Sequence, residues 1–266
     1  DGTVFEAISD VARLGYAAIN ARGSSVAISI DQERPRHSIV TPDLILKGSF
    51  RKTYTWPKTG SHDGIRVRYV DRDSFTVLTA TYPEAALNPK EIEVRGLAGE
   101  VDDPEALSLA RYYWLQEQLR NATSEWGMEW DALAFEPLSR IGVCEPFFDF
   151  PKGSQLAAIG LNNTQIDVVS GPVPSGQCFV ALRSAEGGAS EILKGSGNGD
   201  RTIFLIEPLP SGVEVVLPNE GVATIVAWGD TEDFLTDVIV ERVTPSGGKT
   251  DLRAIPYDPS LYEGRF

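Results

Sequence analysis

Alternation of apolar and polar residues predicts a chain made mainly of short β-strands. Ile65, Val67 and Tyr69 alternate with Arg66 and Arg68, which is the pattern of a strand with one buried face. Comparable runs recur between turns that are rich in Pro and Gly, as in β-rich proteins. Strands are predicted at Tyr16–Asn20, Ser25–Asp31, Ile45–Trp56, Gly64–Val70, Phe75–Tyr82, Lys90–Val94, Ser124–Asp131, Gln165–Val169, Phe179–Ser184, Thr202–Glu207, Thr224–Trp228 and Thr236–Val243.

Two segments carry the signals of helices. Thr3 and Glu6 have the spacing of a capping box, and the apolar residues that follow repeat at helical spacing as far as Gly15. The run Asp103-Pro-Glu105 supplies an N-cap, a proline in the first turn and an early acidic residue. A second helix is therefore predicted from this run to about Asn121.

The chain changes character near Asp149–Gly153, where a proline and a glycine interrupt the pattern. Residues 1–150 hold both predicted helices and are predicted to form an α+β domain with a mixed sheet. Residues 151–266 contain only strand-like runs and are predicted to form an all-β, barrel-like domain.

The charge balance restricts the class of partner. The chain has 38 acidic and 24 basic residues, a formal net charge of −14. Such a surface repels phosphate backbones, so direct nucleic-acid binding is not expected. No apolar run approaches the roughly 18 residues of a membrane span. The chain begins at Asp1 without a signal peptide, and we interpret it as a fragment of a longer protein.

Acidic side chains give one candidate for acid–base chemistry. Glu125, Glu129 and Asp131 alternate with apolar residues on the strand predicted at Ser124–Asp131. Glycosidases need two carboxylates at a set separation. The same spacing arises on any half-exposed strand, so no catalytic residue is predicted here.

Other candidate sites lack a part that their chemistry requires. Gly195–Gly199 is rich in glycine but has no Lys-Ser/Thr, and a hairpin tip is predicted there. The two histidines, His37 and His62, lie in polar segments, and no Gly-x-Ser-x-Gly elbow accompanies them. No catalytic, cofactor-binding or metal-binding residues are predicted.

Cysteines and tryptophans leave alternatives open. Cys144 and Cys178 belong to no CxxC pair, which argues against zinc, and they are expected either to form one disulfide or to remain buried thiols. Trp56, Trp126 and Trp130 are interpreted either as core residues or as a sugar-binding platform.

A series of short motifs runs in one order along the chain. The motifs are the helix at Phe5–Ala12, Ile28–Asp31, Gly48–Tyr54, Asp63–Tyr69, Asn88–Ile92, the helix from Glu105, Val226–Gly229, Phe234–Arg242 and Leu252–Tyr262. This series resembles the central tail-tip protein of lambda-like siphophages, the host-specificity protein J family. The resemblance covers nearly the whole chain and is weakest between residues 153 and 220. Family members are several times longer, in keeping with a fragment.

The resemblance implies a structural protein of a phage or prophage virion, made in the bacterial cytoplasm. Proteins of this family form a homotrimeric hub that closes the tail tube, built from α+β and β-barrel domains. They contact other tail-tip proteins and the tape measure protein, and their distal regions contact the host receptor. The family offers no catalytic residues in this region. The alternative is a carbohydrate-binding or cell-wall-degrading module of a tail tip, with a cleft lined by Trp and carboxylates.

Overall fold

A computed structural model describes residues 4–22, 25–55, 62–93, 101–147, 152–160, 162–184, 188–211 and 213–263. The helices are α1 (Val4–Leu14) and α2 (Asp103–Leu119). The strands are β1 (Ala17–Arg22), β2 (Ser25–Ile30), β3 (Ser38–Val40), β4 (Arg51–Tyr54), β5 (Ile65–Val70), β6 (Val77–Tyr82), β7 (Lys90–Glu93), β8 (Ala122–Met128), β9 (Arg140–Val143), β10 (Lys152–Gly160), β11 (Gln165–Val168), β12 (Ser175–Arg183), β13 (Leu193–Asn198), β14 (Thr202–Leu205), β15 (Ile225–Gly229), β16 (Thr236–Ser246) and β17 (Lys249–Pro256). Short 3₁₀ helices occur at Pro42–Leu44, Trp130–Ala134 and Pro259–Leu261.

The chain divides into two compact units that interleave in sequence. Unit 1 comprises residues 1–33, 53–123 and 256–266, and unit 2 comprises residues 34–52 and 124–255. This division differs from the contiguous domains predicted from the sequence. The predicted boundary between residues 150 and 151 lies outside the described residues.

Unit 1 contains a three-stranded sheet in the order β6-β5-β7, covered by α2. The buried face of β5 carries Ile65, Val67 and Tyr69, which pack with apolar residues of α2 such as Leu109. The helix begins with a capping box formed by Asp102, one residue earlier than predicted, and Glu105. Strands β1 and β2 form a separate antiparallel hairpin in this unit.

Most of a six-stranded sheet, in the order β3-β9-β16-β17-β8-β4, lies in unit 2. Strand β17 lies between β16 and β8, so residues close to the end of the chain complete a sheet that earlier strands begin. Trp126, Met128, Ile141, Val240 and Leu252 form its buried core, because most inward positions of β8, β9, β16 and β17 are apolar.

Six further strands of unit 2 close into a barrel in the order β10-β11-β14-β13-β12-β15. Leu156, Ile166, Leu182, Ile203 and Trp228 fill its interior and are fully buried. Closure of the barrel pairs every strand on both sides, so this sheet has no free edge.

The predicted fold class, an α+β domain with two helices followed by a barrel-like domain, is wrong. The chain is mostly β, with strands in several sheets. Residues 1–150 do not form one mixed sheet, because β8 and β9 pair with β17 and β16 from the region 236–256. Local periodicity identifies a strand but not its partner, and these partners lie about a hundred residues away.

Candidate functional site

The three candidate carboxylates do not lie along one strand. Glu125 is half-buried on β8, opposite Arg253 of β17. The strand ends at Met128, and Glu129 and Asp131 are exposed at the following 3₁₀ helix. The regular spacing expected for a strand face is therefore absent among these carboxylates.

The tryptophans fall into different environments. Trp126 is 2% exposed and packs in the core of the six-stranded sheet, with its ring centroid 6.0 Å from that of Phe50. Trp130 is 70% exposed on the next turn. Trp56 lies outside the described residues. Because Trp126 is enclosed by protein, it cannot stack on a sugar together with Trp130.

The histidines also differ in their surroundings. His37 is exposed, and its main chain is bonded to Arg140 and Gly188. His62 is half-buried in unit 1, where its Nε2 lies 2.5 Å from a carboxylate oxygen of Glu117. Lys90 binds the other oxygen of that carboxylate at 2.6 Å. Burial raises the pKa of Glu117, but the hydrogen bonds from Lys90 and His62 outweigh it and lower the pKa overall.

Most of the glycine-rich segment is part of the barrel wall, and only its end at Gly199 lies in the predicted tip of a hairpin, between β13 and β14. Gly195 and Gly197 lie in β13, which pairs with β12 and β14. A Cβ atom on Gly195 would lie 2.8 Å from the carbonyl oxygen of Phe204. Glycine is needed there for close approach of main chains, which explains its presence without a phosphate ligand.

Both cysteines are free thiols in buried positions. Cys144 packs with Ile39 and Phe234, whereas Cys178 lies in the barrel interior. Burial raises the pKa of both thiols, and the charge of Asp43 raises that of Cys144 further. The thiolate form that reacts with electrophiles is therefore disfavoured at both positions.

We expect neither thiol to react readily with Ellman's reagent at neutral pH while the protein is folded, because reaction requires access and ionisation. Both thiols of the chain should become reactive when guanidinium unfolds it, and Cys144→Ala should remove one of the two. Rapid labelling of either thiol in the native protein would contradict this expectation.

A buried ionic network joins three segments of unit 1. The carboxylate of Asp31, just after β2, lies 2.7 Å from the Arg120 guanidinium at the end of α2. Tyr112 and Tyr262 donate hydrogen bonds to the same carboxylate at 2.6 and 2.7 Å. Burial raises the pKa of Asp31, but Arg120 and the two hydroxyls outweigh it and lower the pKa overall.

A second polar cluster lies in unit 2, at the β3, β9 and β16 side of the sheet. Asp237 accepts two hydrogen bonds from Arg36, at 2.8 and 3.1 Å, and one from Arg140 at 2.5 Å. The two-point contact from Arg36 fixes the segment before β3 against β16. As in the Asp31 network, both oxygens of the carboxylate are engaged in structural contacts.

The outer wall of the barrel carries an apolar strip that, unlike the two ionic clusters, faces solvent. Along β14 and the residue after it, Ile203 and Leu205 point inward, whereas Phe204 is 44% exposed and Ile206 is 73% exposed. Ile206 also lines an open groove of about 260 Å³, whose other lining residues are Ile192, Leu193, Lys194 and Glu207. We call Phe204, Ile206 and this groove the barrel strip. Exposed apolar clusters of this kind are typical of surfaces that contact other proteins.

Within the described ranges, no group of three His, Cys, Asp or Glu residues has a geometry that would hold a metal ion. Among the helices of the described chain, none has the length and apolar character needed to cross a membrane.

No family model matches the chain, and no curated protein matches it. The chain is similar in structure to a chain from the virion of a native gene transfer agent (GTA) particle, with a TM-score of 0.45 and 9% sequence identity. The match covers 95% of this chain and 39% of that chain. At this TM-score the similarity establishes neither a shared fold nor a shared function.

Proposed function

We propose that this chain is a non-catalytic structural module of a phage or prophage virion, within the central hub of the tail tip. In this role it assembles with copies of itself and with other tail proteins. The placement in a tail tip rests on the collinear series of motifs that resembles the host-specificity protein J family. The role in assembly rests on the surface of the molecule.

The observation that carries the assembly role is the barrel strip. A barrel wall in water normally alternates inward apolar residues with outward polar ones. In β14 and its continuation the outward positions that follow Thr202 are Phe204 and Ile206, on a chain that is otherwise strongly acidic. Removing the exposed part of each side chain from water stabilises a contact by at most about 1.5–3 kcal/mol, which favours association with another protein surface.

The proposal is tested by locating the chain in virus-like particles from the cells that encode it. Particles are induced, purified through a density gradient and probed with antibody against this chain. We expect the chain in the particle fraction and antibody label at the tail end away from the head. Its absence from particles, or label on the head alone, would contradict the tail-tip assignment.

Ile206→Asp is expected to reduce incorporation of the chain into particles by about tenfold, because it places a charge in an apolar contact. Ser211→Asp adds the same charge at an exposed polar position of unit 2 and serves as the matched control. The ratio of this chain to other particle proteins, measured by quantitative mass spectrometry, reports the effect. Equal incorporation of both variants would argue against the barrel strip as a contact surface.

A further inference from the structure

Strand β6 forms one edge of the three-stranded sheet in unit 1, and its hydrogen-bonding direction can be read from its neighbours. The amide of Asp71 donates to the carbonyl of Thr76 at 2.9 Å, and Lys90 of β7 donates to Gly64 at 2.8 Å. In an antiparallel ladder, residues that bond to the partner strand alternate with residues that face away. The main-chain groups of Val77, Thr79 and Thr81 therefore point away from β5.

These outward groups are available to a further strand. Within the residues that the structure describes, β6 is paired with β5 alone, and no hydrogen bond engages the amides of Val77 and Thr79. Both residues are exposed, as is Leu78 between them. An open row of donors and acceptors is the geometry that accepts an added strand.

The edge formed by β6 also lacks the features that protect sheet edges from pairing. Its sequence, Val-Leu-Thr-Ala-Thr-Tyr, contains no charge and no proline. The opposite edge, β7, reads Lys-Glu-Ile-Glu, and charged residues of this kind discourage pairing. The contrast within one small sheet marks β6 as the edge built to receive a partner.

The charge beside β6 indicates the chemistry of that partner. Arg66 and Arg68 of β5 lie directly opposite Thr81 and Thr79, and the Nε of Arg66 donates to the hydroxyl of Thr81 at 3.3 Å. The Arg66 guanidinium thus leans over β6 toward the open edge. On their other side, Arg66 and Arg68 are in register with Glu91 and Glu93 of β7, yet neither arginine forms an ion pair within the described part of the chain. Acidic side chains on an added strand would meet this positive charge.

We propose that the β6 edge binds an extended segment of a partner protein that carries alternating Asp or Glu residues, as a fourth strand of this sheet. This inference deepens the proposed function by naming the chemistry of a partner. That the partner is a tail protein rests on the proposed function, whereas its extended acidic character is inferred from the β6 edge. Main-chain hydrogen bonds along Val77–Thr81 supply the attachment, and Arg66 and Arg68 select the acidic sequence.

The experiment uses the full chain and two synthetic fluorescent peptides. One peptide reads Thr-Glu-Val-Glu-Val-Glu-Thr, and the other has Lys in place of each Glu. Fluorescence anisotropy is expected to show binding of the acidic peptide about tenfold tighter than that of the lysine peptide, because the like charges of lysine and arginine repel. Equal binding of both peptides, or of neither, would overturn the proposal.

Two variants separate main-chain pairing from charge. Thr79→Pro removes an outward amide without removing a bond to β5, and should weaken the acidic peptide about tenfold, whereas Thr79→Val retains the amide and should bind normally. Arg68→Glu should invert the preference between the peptides, with folding of each variant verified by circular dichroism. Unchanged binding by Thr79→Pro would refute strand addition.

Pairing of the β6 edge with a second copy of the chain would give a different experimental result. If a second copy of the chain paired at this edge, light scattering would show a doubled mass that Thr79→Pro abolishes, and the assignment to an acidic partner would be wrong. These peptide measurements do not depend on locating the chain in particles. A negative peptide result with tail-tip labelling would reject this inference alone, and the reverse outcome would reject the proposed function alone.

Discussion

Replacing Asp31 with alanine is expected to lower the free energy of unfolding by about 3–5 kcal/mol, because it leaves a buried guanidinium without its counter-ion. The side chain of Arg120 is almost as enclosed as that of Asp31, at 8% and 4% exposure. The hydroxyls of Tyr112 and Tyr262 also lose their acceptor. Urea denaturation followed by circular dichroism measures the change.

Glu33→Gln is the control for this substitution, since Glu33 lies two residues further along the chain and is exposed. It should leave stability within about 0.5 kcal/mol of the original value. If both variants unfolded at the same urea concentration, the Asp31 network would contribute no stability, and the inferred role of this network would be wrong.

The same network predicts how stability depends on pH. The pKa of Asp31 is lowered in the folded state, so its contribution to stability is fully present above the ordinary carboxyl pKa. That contribution is lost as the pH falls through the lower value of the folded protein. The difference in the free energy of unfolding between the original chain and Asp31→Ala should therefore be large at neutral pH and should narrow at strongly acidic pH. A constant difference from neutral to strongly acidic pH would contradict this account.

Trp228→Ala is expected to destabilise the barrel by about 3–5 kcal/mol, because it opens a cavity among residues that the closed sheet prevents from collapsing. Trp228 is fully buried in the barrel interior, and its indole nitrogen donates to the carbonyl of Pro172 at 3.3 Å. Guanidinium denaturation, monitored by far-ultraviolet circular dichroism, measures the loss.

Trp130→Ala makes the same change of side chain at a position that is 70% exposed, and should alter stability by less than about 1 kcal/mol. A loss at Trp130 as large as that at Trp228 would show that the denaturation midpoint reports removal of tryptophan in general. The cavity argument for the barrel would then have no support.

Prediction from the sequence succeeds where one local signal determines the structure. The capping and proline signals near Asp103 mark the start of α2 to within a residue, because they satisfy free amides of the first turn. The alternation from Ile65 to Tyr69 is matched by the burial of β5, whose three apolar residues face the helix. Both signals act over a few residues.

Prediction from the sequence fails where residues that are distant in the chain determine the structure. The alternation predicted through Asp131 stops at Met128, because β8 follows its pairing with β17 and the chain then turns. Gly195 and Gly197 suggest a turn by composition, yet neighbouring strands of the barrel require them to be small. The sheet partners, and hence the fold class, depend on pairings that no local pattern encodes.

The barrel strip and the β6 edge also combine a local signal, which the sequence shows, with a strand pairing, which it does not show. The run Ile-Phe-Leu-Ile at residues 203–206 is visible in the sequence, but which of its members face outward depends on the register of the barrel. Likewise, the uncharged run Val77–Tyr82 predicts a strand, and only the sheet order shows that it is an edge. Sequence alone therefore names the residues of both surfaces without separating them from the core.

The interleaved course of the chain limits how this region can be inherited. The polypeptide passes between the two units at residues 33/34, 52/53, 123/124 and 255/256, so neither unit is encoded by one uninterrupted stretch. A recombination event with a single crossover between residues 34 and 255 leaves each unit composed of segments from two parents. A continuous stretch that carries the whole Asp31 network runs from residue 31 to Tyr262, so the whole of unit 2 travels with it.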